Sequence, residues 1–363
     1  MHSVIIDNVR GDRLVDIHSR HKQLVSAAHA HLYDFDEVAL RRSFAALFLD
    51  RAHIRMCSPF GDLDGSESFI DTCYMPLVKA MPDLERRTWI LVAGLTEHGG
   101  YWVGSAGHYF GTFVSSWLDI PPTGHLAHLR FHEFFRFEDE KVIEFQAIWD
   151  IPEIMMQARA WPLAPSLGRE FCIPSPASMD GLVSEPWNEA ESRATRDLII
   201  EMLTYMKRHP SHGGADVMEM ERFWHPKMNW YGPAGIGTGR GIAGFRNWHQ
   251  IPFLRAMPDR GQYLDEIIYH FFGDANYAAV TGWPNMIQTV TQDGWLGIAP
   301  SGRRVTMRSL DFWRVENGLI RENWVMVDLL DVYRQLNVDV FGRMREFNKA
   351  RVFGDIPFPI QEV

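Results

Sequence analysis

The chain has 363 residues, 46% hydrophobic and 13% aromatic, enough for about two domains with sizeable cores. Its formal charge of −10, with no basic cluster, argues against nucleic acid as a partner. Cys57, Cys73 and Cys172 lie far apart and form no CxxC pair, so free buried thiols in a reducing, cytoplasmic setting are expected. The N-terminal stretch has no apolar run of signal-peptide length, and no segment is apolar for long enough to span a bilayer.

In chain order, apolar residues first recur at helical spacing in "HKQLVSAAHAHLY" and "DEVALRRSFAALFL". Four β-rich runs follow: "RRTWILVAGL", "YWVGSAGHYFGTF", "HLRFHEFFRF" and "KVIEFQAIWD". Between Trp161 and Trp187 lie five prolines with Ser and Gly, a composition that suits an ordered linker. The sequence then starts again. A helical pattern, "ATRDLIIEMLTYMKRH", precedes the β-rich "LDEIIYHFF", "YAAVTGWPNMIQTV", "RVTMRSLDFWRV" and "LIRENWVMVD". "EDEK" and "ENGL" fit hairpin turns between the last two runs of each set. The predicted organisation is a domain over 1–160, a linker over 161–186, a second domain over 187–345 and an extended C-terminal arm over 346–363.

The two halves are copies. Phe134, Arg136, Glu138, Glu144 and Asp150 recur 178 positions later as Phe312, Arg314, Glu316, Glu322 and Asp328. "MPDLER" at Met81 echoes "MPDRGQ" at Met257, and "PPTG" at Pro121 echoes "APSG" at Ala299. Helices followed by an antiparallel meander predict α+β domains with the helices on one face of the sheet.

Candidate chemistry follows the strands. Period-two alternation places His128, Arg130 and His132 on one side of a strand and Glu133 on the other. The second half carries Thr306, Arg308 and Leu310 against Asp311. Two histidines and an arginine on one face suit acid/base work with oxyanion stabilisation, or else form a solvated outer face. Glu133 and Asp311 stand among apolar neighbours, where burial would raise a carboxyl pKa. Asp150 and Asp328 each open a helical segment, so they read as helix N-caps or as bases at a pocket rim. His108 lies where small residues leave room beside a strand. Trp149, Trp283 and Trp324 are taken with Arg130 and Arg308 as substrate-binding. "GRGIAG", Gly239 to Gly244, lacks the strand-and-helix setting of a dinucleotide site, and "GPAGIGTGRG", Gly232 to Gly241, reads as a flexible loop at the cone mouth. The pairs His18/His21, His29/His31 and His125/His128 lack a third ligand at metal spacing, so no metal is expected.

The stretches "APSGRRVTMRSLDFWRVENGLIRENWVMVDLLDVYRQL" and "PPTGHLAHLRFHEFFRFEDEKVIEFQAIWDIPEIMMQ" resemble the SnoaL-like polyketide cyclases of the nuclear-transport-factor-2-like superfamily. The resemblance implies a cone: a bent sheet closed by helices around a deep apolar pocket. It also implies a pseudo-dimer within one chain, and homodimerisation as a further possibility. Where the family carries an acid three residues before the strand-terminal Asp, this chain has Ala147 and Val325.

The expected activity is cofactor-free proton transfer beside a carbonyl of a small hydrophobic substrate: cyclisation, isomerisation or dehydration. Asp150, Glu133, His132 and His108 are the candidates in the first half, and Asp311 and Asp328 in the second. Two alternatives stand beside it. One is epoxide or lactone hydrolysis, with Asp311, Arg308 and Asp328 acting together. The other is a binding protein without chemistry.

Overall fold

The computed structural model describes residues 16–209, 212–292 and 295–349. The first 15 residues and most of the expected C-terminal arm lie outside the described residues. Strands are β1 Phe48–Met56, β2 Asp62–Asp64, β3 Glu85–Leu95, β4 Tyr101–Thr112, β5 Leu126–Glu138 and β6 Lys141–Trp149 in the first half. The second half has β7 Trp224–Tyr231, β8 Gly239–Arg240, β9 His270–Asp274, β10 Tyr277–Thr281, β11 Met286–Thr289, β12 Arg304–Met307, β13 Ser309–Glu316 and β14 Leu319–Val327.

Each half forms a six-stranded sheet with the same connectivity: β2-β1-β6-β5-β4-β3 and β8-β7-β14-β13-β10-β9. The sheets are mixed, because β1 runs parallel to β6 and β7 parallel to β14, while the other pairs are antiparallel. The first strand of each half escapes the periodicity reading. β1 continues directly from the helix Glu37–Leu47, so its start is masked by a helical pattern. "YAAVTGWPNMIQTV" does not form one strand either; it divides into β10 and β11, and β11 pairs only with β12.

Helices close each sheet. Ile17–His29 starts at Asp16, whose carboxylate accepts from the Ser19 amide at 2.9 Å. Glu37–Leu47 starts likewise at Asp36, and Glu189–Met206 at Asn188. Each half also has a helical run broken by a wide π-type turn, Ile70–Tyr74 in one and Arg246–Gln250 in the other. Such turns push side chains out of helical register and recur at functional sites.

The repeated sequence has two structural causes. The Arg/Glu echo is a cross-strand ion pair: Arg136 Nε donates to Glu144 at 2.9 Å, and Arg314 Nε to Glu322 at 2.6 Å. The terminal aspartates join the halves reciprocally. Asp150 accepts from the Ala234 amide at 2.9 Å, and Asp328 from the Ser58 amide at 2.9 Å.

The outer faces of the two sheets pack on each other. Phe134 stacks on Phe312 with ring centroids 5.0 Å apart, and Trp89 meets Trp324 at 5.6 Å. Close approach requires glycine at Gly104, where a Cβ would lie 2.7 Å from Phe312. A buried salt bridge, Lys22 to Asp274 at 2.7 Å, also crosses between the halves. Among the described residues, no helix is long and apolar enough to cross a membrane.

Candidate active site

Strand alternation sends Glu133 and Asp311 to the inside of their respective cones, but into different surroundings. Glu133 is fully buried, and its carboxylate faces a cation and two donors. Arg86 pairs with it at 2.9 Å, and both Tyr109 Oη and Trp149 Nε1 donate to it at 3.1 Å. Arg86 also lies 3.7 Å over the Phe131 ring, and Tyr74 Oη meets Tyr109 Oη at 2.6 Å. Burial pushes the Tyr74 and Tyr109 hydroxyls well up, so both stay protonated donors. The first cone is filled by a polar network wrapped in aromatics.

The second cone is hollow. A cavity of about 160 Å³ is lined by the helix Glu189–Met206, the π-type turn, and β13 and β14. The substitutions between the copies account for it. At the 178-residue offset, Phe131 becomes Ser309 and Trp149 becomes Val327. At the 176-residue offset of the "MPD" echo, Tyr74 becomes Gln250. Ser309, Val327 and Gln250 all line the cavity. Three aromatic side chains are thus absent where the space opens.

Asp311 stands in that wall. Ser309 Oγ donates to it at 2.6 Å, and the Met326 amide also supports it. Burial pushes its carboxyl up to about 7, against the lowering effect of these hydrogen bonds and of the Arg260 charge. Its accessible surface is intermediate because it faces the hollow and not packed side chains. Arg260 lines the same cavity and lies over the Phe253 ring at 5.5 Å; among the described residues it forms no salt bridge. Burial lowers its pKa, and the Asp311 charge opposes that. His249, from the π-type turn, stacks on Trp230 with centroids 4.0 Å apart. Burial, then the Arg260 charge, lower its pKa to about 3, so the ring is neutral near pH 7. Its Nδ1 and both polar atoms of Gln250 are buried without a hydrogen-bond partner among the described residues. The cavity thus offers a carboxyl titrating near neutrality, a cation and open polar atoms within an aromatic shell.

The other predicted residues lie elsewhere. Asp150 sits at a helix start but makes no side-chain cap; Arg130 donates to it at 3.2 Å and Ala234 at 2.9 Å. Burial raises its pKa. Asp328 does cap its helix, accepting from the Asp331 amide at 3.2 Å, and Arg308 reaches it at 3.3 Å. Burial raises Asp328 to about 6. Both aspartates, with Arg130 and Arg308, occupy the junction between the halves, not the cavity. Arg130 is fully buried there and also donates to the Gly232 carbonyl at 2.8 Å.

His132 faces the second half, with its Nδ1 2.6 Å from the Leu310 carbonyl. The face left open between catalysis and solvent is therefore the interface of the two sheets. His108 accepts from Trp89 Nε1 at 3.2 Å on that same side of the first sheet. Trp149 belongs to the filled first cone. Trp324 donates to the Pro174 carbonyl at 3.1 Å, and Trp283 lies under the Arg308 guanidinium at 4.6 Å. Asp311, Arg308 and Asp328 do not converge, because Asp311 faces the cavity and the other two face the junction. The glycine-rich stretch before the helix Gly241–Phe245 is packed, not a free mouth loop: Thr238 bridges Arg169 of the linker, and Ala234 meets Asp150.

His249, Gln250 and Arg260 escape sequence reading because they come from a turn and a loop. The space itself has a sequence signal: the aromatic-to-small exchanges Phe131/Ser309 and Trp149/Val327 stand in the aligned copies.

A bent mixed sheet wrapped by helices around an interior acid defines the nuclear-transport-factor-2-like α+β cone, present here twice. The profile of the SnoaL-like polyketide cyclases matches residues 32–158 and 211–336, and the chain belongs to that family. Solved structures similar to it include AclR from Streptomyces galilaeus, at 16% identity over 39% of this chain and 96% of that one, with a TM-score of 0.33. TsrD from Streptomyces laurentii is 23% identical over 40% of this chain and 97% of its own, with a TM-score of 0.32. An NTF2-like protein from Burkholderia thailandensis E264 is 17% identical over 38% and 96%, with a TM-score of 0.30. No curated protein sequence matches the chain.

Proposed function

We propose that the second half is an acid/base catalyst acting beside a carbonyl of a small hydrophobic substrate, and that the first half is its scaffold. The observation that carries this reading is Asp311 at the wall of an open cavity, with its carboxyl at about 7, beside an Arg260 that forms no salt bridge among the described residues. A carboxyl near the working pH can take a proton as the base and return it as the acid.

In the proposed step, Asp311 as carboxylate removes the proton from the carbon next to the carbonyl. The C–H electron pair forms the enolate, and the negative charge moves to oxygen. Arg260 and neutral groups such as Gln250 are placed in the same cavity to receive that charge. Protonated Asp311 then gives its proton to another carbon in isomerisation, or to a departing hydroxide in dehydration. In cyclisation the enolate carbon first attacks a second carbonyl, and the new alkoxide takes the proton. The aromatic lining accounts for a substrate with an apolar body.

The test uses heavy water and a panel of cyclic ketones, β-keto esters and polyketide-like aromatics. Wild-type protein is expected to introduce deuterium, and Asp311→Asn to do so about 10²–10⁴-fold more slowly. Equal exchange by the two proteins would refute the assignment. A hydrolytic reaction in the same cavity would instead place labelled oxygen from water in the product.

A further inference from the structure

Beyond the cavity, the structure brings together three groups that the sequence keeps 20 and 44 residues apart. His108 comes from β4, His128 from β5 and Cys172 from the linker between the halves. One potential ligand atom from each lies within 4.8 Å of the others. We propose that these three residues form a site for a borderline divalent metal ion such as zinc, which ties the linker to the first half. This revises the expectation from sequence spacing, which only sees ligands that are near in the chain.

The surroundings have the form such a site needs. His108 is 2% exposed, and its Nε2 has no hydrogen-bond partner among the described residues. A buried, unmet imidazole nitrogen facing a second imidazole and a thiol is best satisfied by a shared ion. His128 Nδ1 lies 3.1 Å from Glu153 Oε1. That contact leaves Nε2 as the ligating nitrogen and matches the carboxylate–histidine arrangement that orients metal ligands. Glu153 is itself fixed, because Oε2 accepts from the Arg130 amide at 2.7 Å. Cys172 adds a soft ligand, and two nitrogens with one thiolate suit zinc or cobalt better than magnesium or calcium. The nearby positive charge of Arg130 is paired with Asp150. A thiolate and the Glu153 carboxylate would then balance a doubly charged ion.

One bond must give way. Trp89 Nε1 donates to His108 Nδ1 at 3.2 Å, and an indole nitrogen can only donate. That bond fixes the Nε2–H tautomer of His108 in the metal-free protein. Metal binding by Nε2 therefore moves that proton to Nδ1 and breaks the hydrogen bond from Trp89, with no proton released from His108. Cys172 is exposed and would bind the ion as its thiolate, so the thiol proton leaves as the ion enters. Uptake should therefore release one proton, from Cys172.

The experiment titrates the full chain, freed of metal by chelator, with Co²⁺ and then Zn²⁺ near pH 8. The expected result is one equivalent of cobalt with a thiolate-to-cobalt charge-transfer band, bleached by one equivalent of zinc. Cys172→Ser should abolish that band, and His108→Gln should weaken cobalt binding at least tenfold. Circular dichroism confirms that each variant is folded. No band in the wild-type protein, or a band that survives Cys172→Ser, would overturn the proposal. Deuterium exchange at the cavity provides an independent readout, because none of the three ligands lines it.

Discussion

The two halves share a fold, a strand order and an inward-facing acid, yet treat that acid in opposite ways. Glu133 is locked by Arg86, Tyr109 and Trp149 in a filled cone. Asp311 has a serine for support and an open cavity in front of it. A duplicated domain thus separates two demands that conflict within one copy. One half holds its interior acid with a cation and aromatic donors and packs around it; the other leaves its acid facing open space. An open interior forgoes packing, and the junction supplies packing from the other half, such as Phe134 on Phe312.

The comparison is broken most severely at Arg86. Arg86→Met should leave the Glu133 carboxylate buried without its cation, costing about 3–5 kcal/mol of stability. Denaturant unfolding would measure it, while exchange per folded molecule stays unchanged. A loss below about 1 kcal/mol would mean the network of the first half is not what holds it.

The acid of the second half should have the opposite character. Folding raises the Asp311 carboxyl from 3.8 to about 7, so the folded chain binds the proton more tightly than the unfolded chain. Its contribution to stability is fully present below about pH 4 and is lost as pH rises through 7. Asp311→Asn should therefore match the wild type near pH 4 and exceed it at pH 8. With the carboxyl partly exposed and its charge screened accordingly, the gain should be on the order of 1–3 kcal/mol. The pH dependence of wild-type exchange should rise over the same interval, since the carboxylate is the base.

The junction offers a third test. Gly104→Val would push a side chain into Phe312 and should cost about 1–3 kcal/mol. If the halves support each other, the unfolding transition should also become less cooperative. The smallest effect expected is on binding. Val327→Trp restores one of the missing aromatics and should weaken ligand affinity about tenfold, roughly 1.4 kcal/mol. Calorimetry with a ligand from the exchange panel would measure this.

Much of this architecture is legible in the sequence. The 178-residue echo reveals the duplication, and period-two alternation separates Glu133 and Asp311 from His132 and Arg130. Alternation gives opposite faces, but not what covers them. The face with two histidines and an arginine is covered by a second sheet, and a single half cannot reveal that. Asp150 and Asp328 mislead for a related reason: their position at a helix start is local, while their partners, Ala234 and Ser58, belong to the other half. His249 and Arg260 depend on a wide turn and an irregular loop, whose side-chain directions follow no period.

The central claim is most directly tested by exchanging one acid at a time for its amide and measuring solvent deuterium incorporation per folded molecule. The account predicts that Glu133→Gln keeps the wild-type rate and that Asp311→Asn loses it by about 10²–10⁴-fold. The reverse pattern, or equal losses in both variants, would contradict the division of labour between the halves.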